Sequence, residues 1–95
     1  MIEEDNKYAL KNFRNDDNSV QEVTFYKLNE DGTNENGTTL EEMLRVSIER
    51  LQDLNGRFPC RENSLAITKM EEALMWLNKR TENRTARGVE GTHKL

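Results

Sequence analysis

Between Thr39 and Glu82 the chain carries two apolar stripes at helical spacing, broken once by Asn55-Gly56 and Pro59, and that pattern limits the fold more than any other feature. Thr39 stands where a helix cap belongs, and Glu42, three residues on, completes a capping box. Leu40, Met43, Leu44, Ile48, Leu51 and Leu54 then recur on one face. Asn55-Gly56 reads as a left-handed C-cap, and Pro59 forbids simple continuation, so the chain reverses within a few residues. A second helix starts near Pro59 and runs through Leu65, Ile67, Met70, Ala73, Leu74 and Leu77 toward Arg84 or beyond, before Gly88 ends it. The expected product is an antiparallel helical hairpin. Leu65, Ile67, Met70, Leu74, Met75, Trp76 and Leu77 cover more of the second helix than one partner helix can bury. A chain of 95 residues also has a thin core, so a helix-mediated homo-oligomer is expected.

The N-terminal part has a different texture. Residues 1–20 are polar, with Tyr8, Leu10 and Phe13 as apolar anchors and Asn15 to Ser19 as a turn or loop, and read as a mobile arm or one packed on a neighbour. Glu22 to Leu28 is rich in β-branched and aromatic residues and alternates like a strand. Asp31-Gly32 and Asn36-Gly37 are tight-turn dipeptides, which fold that strand back on a weak return arm at Thr33-Asn34-Glu35. The expected class is α+β, mainly α. The expected organisation is a polar arm over 1–20, a short β-hairpin over 21–38 and a helical-hairpin domain over 39–95, all within a single domain.

Charge narrows the function. The net charge is −4, but residues 1–42 carry a balance of −7 and residues 43–95 a balance of +3. Arg80, Arg84 and Arg87 fall at i, i+4 and i+7 and share one helical face, a basic edge suited to phosphates. A local arginine cluster binds a small phosphorylated ligand without an overall basic protein, whereas a DNA or RNA polymer wants an extended basic surface. One cysteine (Cys60) and one histidine (His93) give no zinc-ligand spacing and no intrachain disulfide, so no metal or other cofactor is expected. With no P-loop glycines, no paired acidic metal motif and no acid–base pair, no catalytic residue is assigned and no enzyme is expected. No run approaches a membrane span, and Met1 to Asp5 lacks the features of a signal peptide, which points to a cytoplasmic protein with no membrane partner.

Each candidate also has an ordinary structural reading. The arginines make a solvated face pairing with Glu82, Glu90 or the acidic N-terminal half. Trp76 is a core or interface residue, and Asn63 satisfies backbone donors at a helix start. Cys60 is a small buried residue behind Pro59. Thr92 and His93, beside Gly91 and Lys94, are hydrogen-bond donors for ligand phosphates rather than catalysts. These readings make a competing function, an oligomeric helical-hairpin interaction module whose basic face takes an acidic partner protein.

Cys60 to Lys69, Glu71 to Leu77, Arg80-Thr81 and Ala86 to His93 together resemble the helical hairpin shared by phage anti-Thoeris and anti-CBASS sponge proteins, over roughly residues 39–95. The strand ahead of the hairpin makes the anti-Thoeris branch the nearer likeness. The resemblance implies a non-enzymatic protein, in the cytoplasm of an infected bacterium, that sequesters cyclic nucleotide immune signals. These are glycocyclic ADP-ribose isomers, cyclic dinucleotides and sometimes cyclic trinucleotides. It implies assembly into dimers and commonly hexamers. It also implies that Asn63 contacts an ADP-ribose type ligand and that Arg80 and Arg84 engage dinucleotide phosphates. Phe58 is the nearest match to the family's aromatic contact near the end of the first helix, displaced from the place where Asp53 and Leu54 stand. Arg87, Trp76, Thr92 and His93 complete the expected ligand-binding set.

Overall fold

The computed structural model describes residues 2–86 as two compact units, one ending at Thr39 and one beginning at Leu40. Arg87, Thr92 and His93 lie outside the described residues.

In the first unit, strands β1 (Ile2–Glu4), β2 (Lys7–Lys11) and β3 (Val20–Thr24) form an antiparallel sheet in the order β1-β2-β3. The polar segment expected as an arm therefore supplies two of the strands. Its alternation is short, but the register pairs Tyr8 with Val23 and Leu10 with Gln21, which sets Tyr8, Leu10 and Val23 on one face. Tyr8 meets Phe25 edge-on, with ring centroids 5.7 Å apart, a favoured aromatic geometry.

The strand expected over Glu22 to Leu28 is split. β3 stops at Thr24, and β4 (Lys27–Leu28) pairs instead with β5 (Asn34–Glu35), Lys27 opposite Glu35 and Leu28 opposite Asn34. The cause is a change of partner at the break: Phe25 N–H donates to the Asn6 carbonyl at 2.8 Å, and Tyr26 N–H to the Thr38 carbonyl at 2.8 Å. Asn6 is 4% exposed, and its side-chain amide donates back to the Phe25 carbonyl. The β4–β5 turn forms where Asp31-Gly32 marks it, with Gly32 at φ +88° and Asp31 Oδ1 accepting from Thr33 N–H.

Gly37 lets two backbones approach. A Cβ there would stand 2.5 Å from the Phe25 carbonyl carbon and 2.6 Å from the Thr24 oxygen. That closeness permits the Thr38 N–H to reach Thr24 and the Tyr26 N–H to reach Thr38.

The second unit is the helical hairpin, α1 (Leu40–Arg57) and α2 (Arg61–Ala86). α1 begins one residue after Thr39 and carries Glu41 and Glu42 in its first turn, where carboxylates oppose the helix dipole. Asn55-Gly56 does not end it. Gly56 stays helical, without positive φ, and the helix runs to Arg57, ahead of Pro59.

Asn55 instead works as a clamp. Its Oδ1 accepts from the Cys60 N–H at 3.1 Å, and its Nδ2 donates to the Ser64 hydroxyl at 3.2 Å, fastening the end of α1 to the start of α2. Cys60 is exposed rather than buried, because it caps α2: its Sγ accepts from Asn63 N–H at 3.4 Å and its carbonyl from Ser64 N–H. Ile48, at 7% exposure, is the one apolar residue buried among those described, while Leu40, Val46, Leu65 and Met75 of the hairpin are exposed. No helix among the described residues is long and apolar enough to cross a membrane.

Candidate functional site

α2 has 26 residues and α1 has 18, so with both starting from a short turn α2 projects past the start of α1 by roughly 10 Å. The register is marked by Arg80, whose Nη2 lies 3.3 Å from Oε1 of Glu41 in the first turn of α1. Residues 81–86 thus extend beyond that contact.

This end of α2 carries the basic edge. Trp76, Arg80 and Arg84 follow one another at four-residue steps, which places them on one side of α2. Trp76 is 62% exposed and is no part of the hairpin core. The Arg80 side chain is 56% exposed, with Nε and Nη1 free of partners among the described residues, and Arg84 is half-buried. The ordinary reading of the arginines as paired surface charge is met in part, with Glu41, not Glu82, as the partner of Arg80.

Asn63 and Phe58 sit at the opposite end. Asn63 is in the first turn of α2, half-buried, with no side-chain hydrogen bond among the described residues. Phe58 projects from the turn at 73% exposure. Seventeen residues of helix separate Asn63 from Arg80, about 25 Å along the axis. One chain therefore brings Trp76, Arg80 and Arg84 together and keeps Phe58 and Asn63 apart from them, farther than a cyclic nucleotide reaches.

Two features escaped sequence reasoning. Glu41 is the first, since its contact with a residue 39 positions away depends on the hairpin register. The second is an open groove of about 570 Å³ between α1 and α2, floored by Ile48, Leu74 and Met75 and rimmed by Glu49, Glu71 and Glu82 against Arg45 and Lys79. Its acidic rim suits a phosphate poorly, and none of the expected site residues lines it. Arg45 is already engaged. Hydrogen bonds and charge from Glu42, then the charge of Glu49, hold its guanidinium more firmly protonated than usual, and Arg45 in turn pulls Glu42 below the ordinary carboxylate range.

Comparison with known proteins agrees with this architecture. Residues 17–82 match the model of the Acb2/Tad1 hairpin domain, a span that takes in Phe58, Asn63, Trp76 and Arg80 and ends before Arg84. A protein of Bacillus phage SBSphiJ7 named "Thoeris anti-defense 1" is 60% identical over 60 residues, covering 62% of this chain and 42% of that relative. The chain thus spans less than half the length of that relative. With the match extending over most of the sequence and over both helices, this chain belongs to the Acb2/Tad1 hairpin family.

Proposed function

We propose that this protein is a phage anti-defence sponge: it binds a cyclic nucleotide immune signal of the Thoeris or CBASS type, holds it uncleaved, and keeps the free signal below the level its effector needs. The reading is carried by the family match over residues 17–82 together with the exposed guanidinium that the matched segment presents at Arg80. The name of the phage relative favours the Thoeris branch.

The chemistry is consistent. Arg80 and Arg84 supply charge-assisted donors to the phosphates, and Trp76, one turn before Arg80, supplies a face for a base. Arg87, Thr92 and His93, outside the described residues, are further donors proposed for the ligand by their side-chain chemistry alone. Asn63 and Phe58 form a second, distant element, which joins the arginines around one ligand only if a second hairpin lies antiparallel to the first. A homo-oligomer of dimer units, up to a hexamer, provides that arrangement, and the exposed Val46, Leu65 and Met75 supply apolar surface for it. Capture by stoichiometric binding needs slow release rather than turnover, and it needs no acid–base pair.

The test is a thermal-shift screen of the purified protein against glycocyclic ADP-ribose isomers, cyclic dinucleotides and cyclic trinucleotides, followed by recovery of the ligand from the heat-denatured complex. Binding to the folded state alone raises stability by RT ln(1 + [L]/Kd), so saturation at about 100 times Kd adds about 2.7 kcal/mol. A shift with intact ligand released supports the sponge. Recovery of a cleaved ligand refutes it in favour of catalysis, and no shift with any member refutes it in favour of a protein-binding module.

A further inference from the structure

We propose that Glu41 is a built-in competitor for the anion site: in the empty chain its carboxylate holds Arg80, and a bound phosphate must displace it or share the guanidinium with it. The proposal rests on the cyclic-nucleotide reading above and adds the residue that sets the strength of that site.

The geometry separates this pair from its neighbours. Arg45–Glu49, Arg57–Asp53 and Lys69–Glu72 run along single helices, whereas Glu41 reaches from the first turn of α1 to Arg80 on α2. The contact is single-pronged, Nη2 to Oε1 at 3.3 Å, long for a charge-assisted hydrogen bond, which is about 2.7–2.9 Å. It leaves Nε and Nη1 of Arg80 to an incoming oxyanion. The carboxylate is the less exposed partner, at 25% against 56% for Arg80. It is also held in place by the N-terminal end of α1, where the helix dipole favours an acid. The Glu41 carboxylate therefore stands beside the site while a phosphate docks, and as the partner already paired with Arg80 it opposes the ligand's charge. The neighbouring acid, Glu42, is occupied by Arg45.

The opposite role, Glu41 as an aid that fixes Arg80 in a binding-competent pose, gives the opposite sign on mutation. Glu41→Gln keeps the size of the side chain, removes the competing charge and is compared with wild type by calorimetric titration of the full chain with cyclic di-AMP and with glycocyclic ADP-ribose. For the ligand that binds, Glu41→Gln is expected to lower Kd about three- to fivefold, the size of an exposed ion pair. The melting temperature of the free protein does not rise, because a contact and a first-turn acid are lost. Glu49→Gln, the same charge change farther along α1, controls for net charge and leaves Kd within twofold. In an Arg80→Ala background Glu41→Gln has no effect on Kd, since the competition is for that guanidinium.

An unchanged or raised Kd for Glu41→Gln, or an equal tightening by Glu49→Gln, overturns the proposal while leaving the sponge reading intact. Failure of both ligands to bind wild type overturns the two together.

Discussion

Gly37→Ala is the substitution that tests the reasoning about the first unit most directly. The added methyl meets backbone on every side, 2.5 Å from the Phe25 carbonyl carbon, 2.6 Å from the Thr24 oxygen and 2.7 Å from the Tyr26 nitrogen. No flexible side chain can move aside, so the two backbone segments must part. The hydrogen bonds at risk are Thr38 N–H to Thr24 and Tyr26 N–H to Thr38, at 2.9 and 2.8 Å. Two net backbone hydrogen bonds at about 1 kcal/mol each, plus about 1–2 kcal/mol for the steric shift, give a loss of about 3–4 kcal/mol. That is a large share of the roughly 5–15 kcal/mol that holds a small domain together. Native-state hydrogen exchange provides the assay, because it reads the Tyr26 and Thr38 amides separately from amides in the middle of α1 and α2. Protection at Tyr26 and Thr38 is expected to fall by at least a hundredfold. Wild-type protection at both amides would show that the two segments do not meet as described, and the argument from Gly37 would fail.

Three further outcomes follow from particular contacts. Gly56→Ala is expected to stabilise the hairpin by about 0.5–1 kcal/mol in denaturant unfolding, because Gly56 is helical and a Cβ there meets nothing within 4 Å; a loss would mean that the end of α1 needs a glycine. Asn55→Ala removes both bonds of the clamp, to Cys60 N–H and the Ser64 hydroxyl, and is expected to cost about 1–2 kcal/mol with an unchanged m-value, a neutral result refuting the clamp. Glu42, Asp17 and Asp31 all titrate below their ordinary values of 4.5, 3.8 and 3.8, held down first by Arg45, Ser19 and Thr33 respectively. Their stabilisation is thus complete above those ordinary values and is lost as pH falls below them, so the melting temperature should fall below about pH 4.5, less steeply in Glu42→Gln and in high salt; an equal slope in the variant removes Glu42 from the account.

The elements that could be read from the sequence are those whose signal is local. Thr39 marks the start of α1, the apolar stripe from Leu40 to Leu54 marks its face, and Pro59 marks its limit, because each acts within a turn or two of chain. The β4–β5 turn is equally local, since Asp31 and Gly32 satisfy its backbone by themselves. β1 and β2 were missed for the opposite reason: three and five residues with little alternation become strands only by pairing, β2 with β3 up to 17 residues away and β1 with β2 once that is in place. Asn55-Gly56 misled because its dipeptide signal describes a left-handed turn, while the amide of Asn55 is used across the turn by Cys60 and Ser64. Within the candidate site, the shared face of Arg80 and Arg84 was legible from spacing alone. Glu41 was not, because which residue of α1 faces Arg80 is decided by the length of the Phe58 to Cys60 turn and not by anything near Arg80.

That same register bears on how a chain with so little buried apolar surface would hold a small anion firmly under the proposed function. Ile48 is the one buried apolar residue among those described, while Trp76, Met75 and Leu65 remain exposed along α2. A lone hairpin of this kind would present Arg80 on an exposed helix face, where each immobilised guanidinium costs side-chain entropy. A second hairpin laid antiparallel would cover the apolar face, bring an Asn63 toward an Arg80 from another chain, and exclude water from between them. Burial strengthens the arginine–phosphate contact because it lowers the local dielectric, and it lengthens residence for the same reason. Assembly and capture would then be one process seen from two sides: the apolar contacts that the monomer leaves unmade place the donors that the monomer keeps 25 Å apart.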